Sequence, residues 1–163
     1  MKISTYWTVK HIRNGQVIWE DTIKNTLANE GAEMILEEFF RQDVTYVPTT
    51  FYIRLCNDSL QVTDTLSTIL NEPPGYGYAA QAVPASLVGF PTKDIDTNGK
   101  WRLTSVVVTF TAAAGNIGPV STAFLATSSD NSGKLVAYLP LSMTRTVLDT
   151  DSMTYYFQIS LGN

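Results

Sequence analysis

Two stretches near the end of the chain carry an apolar residue at every second position. They are Leu135, Ala137, Leu139, Leu141 and Met143, followed by Met153, Tyr155, Phe157, Ile159 and Leu161. Successive side chains of a β-strand point to opposite faces, so each stretch predicts a strand with one apolar face. A slip of one residue in pairing would bury polar groups. The chain must therefore form sheets that cover these faces.

Other segments carry similar strand signals. Asn14-Gly15 joins two stretches rich in β-branched and aromatic residues, which predicts an N-terminal hairpin. The predicted strands are 5–12, 16–24, 51–56, 79–83, 101–112, 118–127, 134–147 and 153–161. A long polar connection precedes the turn at 96–99. This pattern indicates a mainly β fold, an antiparallel β-sandwich of jelly-roll-like type.

One helix is predicted within this β pattern. Apolar residues recur at helical spacing between 29 and 41, with Asn29 as the expected N-cap. Phe39 and Phe40 are expected on its packed face. With 163 residues, the chain is predicted to form a single domain, 1–163. The hairpin, 1–24, is expected to act as an arm that adds a strand to a neighbouring subunit, and 25–163 to form the sandwich.

Composition excludes several classes of function. The formal net charge of −4 and the lack of a basic stripe argue against nucleic acid as a partner. The absence of a long apolar run argues against a membrane span or a signal peptide. A single cysteine, Cys56, cannot form an internal disulfide or a thiolate zinc site. We expect no cofactor.

Few residues offer catalytic or metal chemistry. His11 is predicted to be an exposed strand histidine, and Cys56 a small buried apolar residue. Asp94 to Gly99 resembles the first half of a calcium loop, but Ser105 stands where a bidentate Glu is needed, so a plain turn and no metal site is favoured. A glycosidase-like carboxylate pair remains an open alternative, with candidates in the loops. They are Asp58, Asp64, Asp149 and Asp151. A non-enzymatic role is favoured.

Aromatic residues are the main candidates for contact with other chains. Tyr76, Tyr78, Phe90 and Trp101 lie in or beside predicted loops, where they either anchor an interface or fold back over the sandwich edge. The predicted contact residues, in the hairpin and in the Gly-Tyr loop, are Tyr6, Trp7, Trp19, Tyr76 and Tyr78.

Several short motifs resemble small structural proteins of tailed bacteriophages. They are Asn25-Thr26-Leu27, Gly31, Ile35-Leu36, Phe39-Phe40, Phe51-Tyr52-Ile53-Arg54-Leu55-Cys56-Asn57 and Gly75-Tyr76-Gly77-Tyr78. The resemblance covers about 22–163 and omits the hairpin. It implies a component of the virion, made in the host cytoplasm, with a β-sandwich form that is often trimeric.

This resemblance leads to two functional hypotheses. The first is a capsid decoration, or cement, protein that binds the major capsid protein or other virion proteins and stabilises the head by mass action. The alternative is a receptor-binding or glycan-binding module of the tail or baseplate. A homo-oligomer, specifically a trimer, is expected in either case. An enzyme acting on cell-wall glycan through the loop carboxylates is a third hypothesis.

Overall fold

The predicted strands assemble into two antiparallel sheets. A computed structural model describes residues 2–162 of the chain. Its strands are β1 (Lys2–Arg13), β2 (Gln16–Lys24), β3 (Thr26–Leu27), β4 (Thr50–Cys56), β5 (Gln81–Pro84), β6 (Thr92–Ile95), β7 (Trp101–Thr104), β8 (Val108–Thr111), β9 (Ile117–Ala126), β10 (Leu135–Val147) and β11 (Ser152–Gly162). The prediction of a mainly β, sandwich-like fold is confirmed.

Sheet A has the order β2-β1-β11-β7-β6, and β8 pairs with β11 beside β7. Sheet B has the order β3-β10-β9-β4-β5. The single strand predicted over 101–112 is divided into β7 and β8. The break comes where the Ser105 hydroxyl accepts a hydrogen bond from the Phe157 amide at 2.9 Å. The connection predicted to be irregular contains a strand, β6, which forms a hairpin with β7.

The N-terminal hairpin belongs to the chain's own sheet. β1 pairs with β11 at eleven positions, from Lys2 opposite Gly162 to Ile12 opposite Ser152. Its inward residue Trp7 is completely buried. In this structure the hairpin is therefore an internal part of sheet A, with β2 at its edge.

The predicted helix forms over 29–41 as α1 (Asn29–Leu36) and a π-helical turn (Glu37–Arg41). Its N-cap is Ala28 and not Asn29, with no side-chain cap. The packed face was wrongly predicted. Gly31 and Met34 are buried, whereas Phe39 and Phe40 are exposed. A Cβ at position 31 would collide with the Val136 carbonyl, so the close approach of α1 to β10 requires glycine there.

Two apolar clusters hold the layers together. Between the sheets, Trp7 packs edge-on against Tyr155 at 6.2 Å between ring centroids, and Phe110 packs against Tyr155 at 5.6 Å. A second cluster lies on the other face of sheet B, where Leu66 and Ile69 of the segment 57–71 pack beside Phe124. Two short 3-10 turns complete the structure, Val44–Tyr46 and Leu66–Thr68.

We predict that Trp7→Ala lowers the free energy of unfolding by about 3–5 kcal/mol, because it leaves a large cavity between the sheets. The matched control is Tyr6→Ala, which removes a ring from the same strand but from the outer face, and should cost about 1 kcal/mol. Denaturant unfolding of both variants measures the difference. Equal losses would contradict the central position of Trp7 in the core.

Candidate interface

The apolar face of sheet A is not covered along its whole length. Along β11 the inward side chains are buried as far as Phe157, whereas Leu161 is 45% exposed. Leu161 lies opposite Trp101 of β7, and Ile159 lies opposite Leu103. Residues directly opposite each other in an antiparallel pair point to the same face. These four side chains therefore form an apolar patch at the uncovered end of the inner face.

An open groove of about 690 Å³ adjoins this patch. Its floor includes Phe51 and Phe90, whose rings meet edge-on at 6.2 Å. Its walls are more exposed, with Phe39 at 80% and Leu87 at 88%. The groove thus lies between the π-helical turn, the start of β4 and the segment that follows β5.

The groove and the end of sheet A form one continuous surface. A second cavity of about 330 Å³ is lined by Trp101 and Leu161, and it shares Leu103 and Ile159 with the groove. We refer to the groove and this cavity together as the apolar surface. Isolated exposed apolar residues are ordinary on proteins, whereas a continuous patch of this kind is a candidate interaction site.

Three charged residues line the apolar surface, Glu38 in the groove and Lys93 and Arg102 in the second cavity, and Arg102 is paired with Asp94. Glu38 lines the groove, and its Oε1 atom is buried without a hydrogen-bond partner among the described residues. Desolvation raises the pKa of this carboxyl above its usual value. Lys93 lines the second cavity, with its ammonium group 5.1 Å from the centre of the Trp101 ring.

Three of the five predicted contact residues are engaged inside the chain. Trp7 is in the core. Trp19 packs against the core, and the guanidinium of Arg145 lies 5.0 Å from the centre of its ring. The Tyr78 ring stacks on Phe110, and its hydroxyl accepts a hydrogen bond from the Leu55 amide at 3.0 Å. Trp7 was therefore wrongly placed at the surface, because sequence position does not show which face of β1 is covered.

Tyr6 and Tyr76 do reach the surface, but they lie outside the apolar surface. The Tyr76 ring lies over Gly115, where a Cβ would strike it. Phe90 and Trp101, which the sequence placed beside loops, do belong to the apolar surface. Leu87 was missed because it stands in a connection with no periodic pattern.

The histidine predicted to be exposed is buried. His11 is 2% exposed, and its Nε2 atom lies 3.0 Å from Oδ2 of Asp151. Arg13 also donates to this carboxylate, and Arg145 donates to His11 Nδ1 at 2.9 Å. A neutral ring with its proton on Nε2 satisfies both neighbours. Burial lowers the pKa of His11, and the Arg13 guanidinium holds the pKa of Asp151 below its usual range.

The other candidates for chemistry also have structural partners. Cys56 is buried, and desolvation raises the pKa of its thiol to about 12. Asp58 accepts hydrogen bonds from the Leu70 and Asn71 amides, and Asp64 accepts one from the Gln61 amide. Both carboxylates therefore close loops.

The segment resembling half of a calcium loop is the turn of the β6–β7 hairpin. Oδ1 of Asp96 accepts hydrogen bonds from the Asn98 and Lys100 amides at 2.8 and 2.9 Å. Asp94 forms a two-pronged ion pair with Arg102. Both carboxylates thus stabilise the turn.

No helix within residues 2–162 is long and apolar enough to cross a bilayer.

Fold and surface together define the class of protein: an antiparallel β-sandwich with an apolar candidate interface. A family model described as "Podophage GP4 fiber I protein gp80" matches residues 25–160. The chain belongs to this family, and is therefore a structural protein of a tailed-phage virion, as the resemblance implied. No curated protein matches the chain.

The buried histidine predicts a pH dependence of stability. Unfolded His11 takes up a proton near pH 6.5, whereas the folded ring has a lowered pKa. Below pH 6.5 the unfolded state binds more protons, so the free energy of unfolding should fall until the folded ring is itself protonated. Chemical unfolding at a series of pH values from about 8 to about 5 measures the slope of the free energy of unfolding against pH. His11→Gln should flatten it, and an unchanged slope would contradict the assignment to His11.

Proposed function

We propose that this chain is a building block of a phage fibre, joined to other virion proteins and to copies of itself through the apolar surface. The observation that carries this proposal is the continuous apolar surface at the uncovered end of the sandwich. The fibre description of the matching family supports it. A trimer is the proposed oligomer.

The size of the apolar surface suits this role. An aromatic side chain presents about 150–250 Å², so the exposed parts of Phe39 and Trp101 alone amount to roughly 270 Å². Leu87, Leu103 and Leu161 add further exposed apolar area, and standard interfaces bury about 800 Å² per partner. Water contact with such a surface is costly, so its burial favours assembly.

The role is proposed to be non-enzymatic. The described polar clusters are occupied by internal contacts: Arg54 holds Glu72 and the Asp130 carbonyl, and Asp151 holds His11 and Arg13. The loop carboxylates of Asp58 and Asp64 likewise accept hydrogen bonds from backbone amides of the segment 57–71.

The position of the chain within the virion is part of the proposal. Decoration of the head, with the major capsid protein as partner, was the leading expectation from sequence. A fibre now takes precedence because the family description names a fibre. Head decoration is the competing placement, since an apolar docking surface serves either role.

Immunogold electron microscopy of purified particles separates the two placements. With antibody against this chain, we expect label on the fibres and none over the head surface, and quantitative mass spectrometry should give far fewer copies than of the major capsid protein. An antibody against the major capsid protein is the control. Label spread evenly over the heads would contradict the fibre role and support decoration.

A polar groove supports a second candidate function, glycan binding. This groove, of about 220 Å³, runs between β1, β11 and the β6–β7 turn. It sets the ring of Tyr6 beside hydrogen-bonding side chains, namely Asp96, Asn98, Lys100, Arg102 and Gln158. An aromatic face beside convergent polar groups is suited to a sugar ring, which has both apolar and hydroxyl surfaces.

Binding to host surface polysaccharide tests this second candidate. The intact protein should bind, and Tyr6→Ala should weaken binding at least about tenfold through loss of the stacking surface. Tyr76→Ala removes an exposed ring outside the groove and serves as the matched control. Lack of binding by the unmodified protein, or equal binding by both variants, would contradict a glycan site in this groove.

A further inference from the structure

We infer that a second copy of this chain covers the apolar surface, with Glu38 of one copy facing Lys93 of the other. The inference rests on the self-association proposed above and adds the surface and the charge pair that make it specific. It does not depend on where in the virion the chain is placed.

Neither Glu38 nor Lys93 forms an ion pair among residues 2–162, whereas charged residues next to them do. Glu37 pairs with Arg41, and Asp94 pairs with Arg102, both within the chain. Oε1 of Glu38 has no hydrogen-bond partner among residues 2–162. Lys93 has its contact with an aromatic ring, and no carboxylate partner is found for it in the described part of the chain. A carboxylate kept partly out of water is destabilised unless a cation reaches it.

The positions of the charges make the surface complementary to itself. Glu38 lies in the groove and Lys93 in the second cavity, with Leu103 and Ile159 shared between these two parts. When the groove of one copy meets the second cavity of another, apolar area covers apolar area and the opposite charges meet. Because this contact joins unlike parts of two copies, it gives a closed ring where the rotation between neighbouring copies closes.

Self-complementarity favours a second copy over a different virion protein as the occupant. A foreign partner would have to supply both an apolar face of matching extent and a cation placed for Glu38. A copy of this chain already carries both. Opposite charges at the rim of such a contact fix its register and exclude other alignments.

Sedimentation velocity and native mass spectrometry of the full chain test the inference. The unmodified protein should form an oligomer whose dissociation constant can be measured. Glu38→Lys and Lys93→Glu should each weaken association at least about tenfold, because each places like charges together. The double variant, with both charges reversed, should return to within about threefold of the unmodified protein. Rescue of this kind requires both charges to act across a contact between copies.

Two further variants separate the surface from general effects of added charge. Phe39→Glu and Leu70→Glu replace side chains that are each 80% exposed, but only Phe39 belongs to the apolar surface. Phe39→Glu should abolish the oligomer, and Leu70→Glu should leave it intact. Circular dichroism should show that both variants retain the β fold, since neither side chain fills the core.

Each contrary result overturns a distinct step. A protein that stays monomeric at all concentrations overturns both this inference and the proposed self-association, while virion labelling still decides the fibre role. An oligomer that persists in Phe39→Glu overturns the assigned surface and leaves self-association in place. Failure of the double variant to regain association overturns the pairing of Glu38 with Lys93.

Discussion

β11 is paired along both of its edges, and the rest of the structure depends on that pairing. β1 lies along one edge, and β7 and β8 lie along the other. Tyr155, Phe157 and Leu161 lie on the same face of β11. The first two belong to the core, and Leu161 belongs to the apolar surface. The register that buries the first two side chains therefore also presents the third to solvent. A slip of one residue would destroy the core and the candidate interface together.

The alternating sequence predicts this strand well, but it does not predict how far the strand is covered. Period-two alternation shows that one face is apolar, whether or not another layer of the same chain packs on it. Along β11 the pattern is equally clear at Met153, which is buried, and at Leu161, which is not. An apolar face longer than its internal cover is visible only in three dimensions, and that excess length is what creates the candidate interface.

Because a local sequence pattern does not show which face is covered, some site residues were missed. Phe39 and Phe40 have the spacing of a packed helical face, yet the buried residues of α1 are Gly31, which lies against β10, and Met34. His11 has no partner nearby in sequence, because Asp151 lies 140 positions away. Local pattern thus predicts elements, while the burial of single side chains depends on long-range contacts. Trp7 and Trp101 show the contrast: both lie in strands, and only Trp7 is covered.

The N-terminal hairpin is another element whose role depends on long-range contacts, because β1 pairs with β11 at the opposite end of the chain. The family match begins at residue 25, just after β2 ends. Yet β1 covers one edge of β11 and places Trp7 and Val9 in the core. Without β1, β11 would expose an unpaired edge to other chains, a state that folded proteins avoid. In this chain the hairpin therefore completes the sheet that carries the apolar surface.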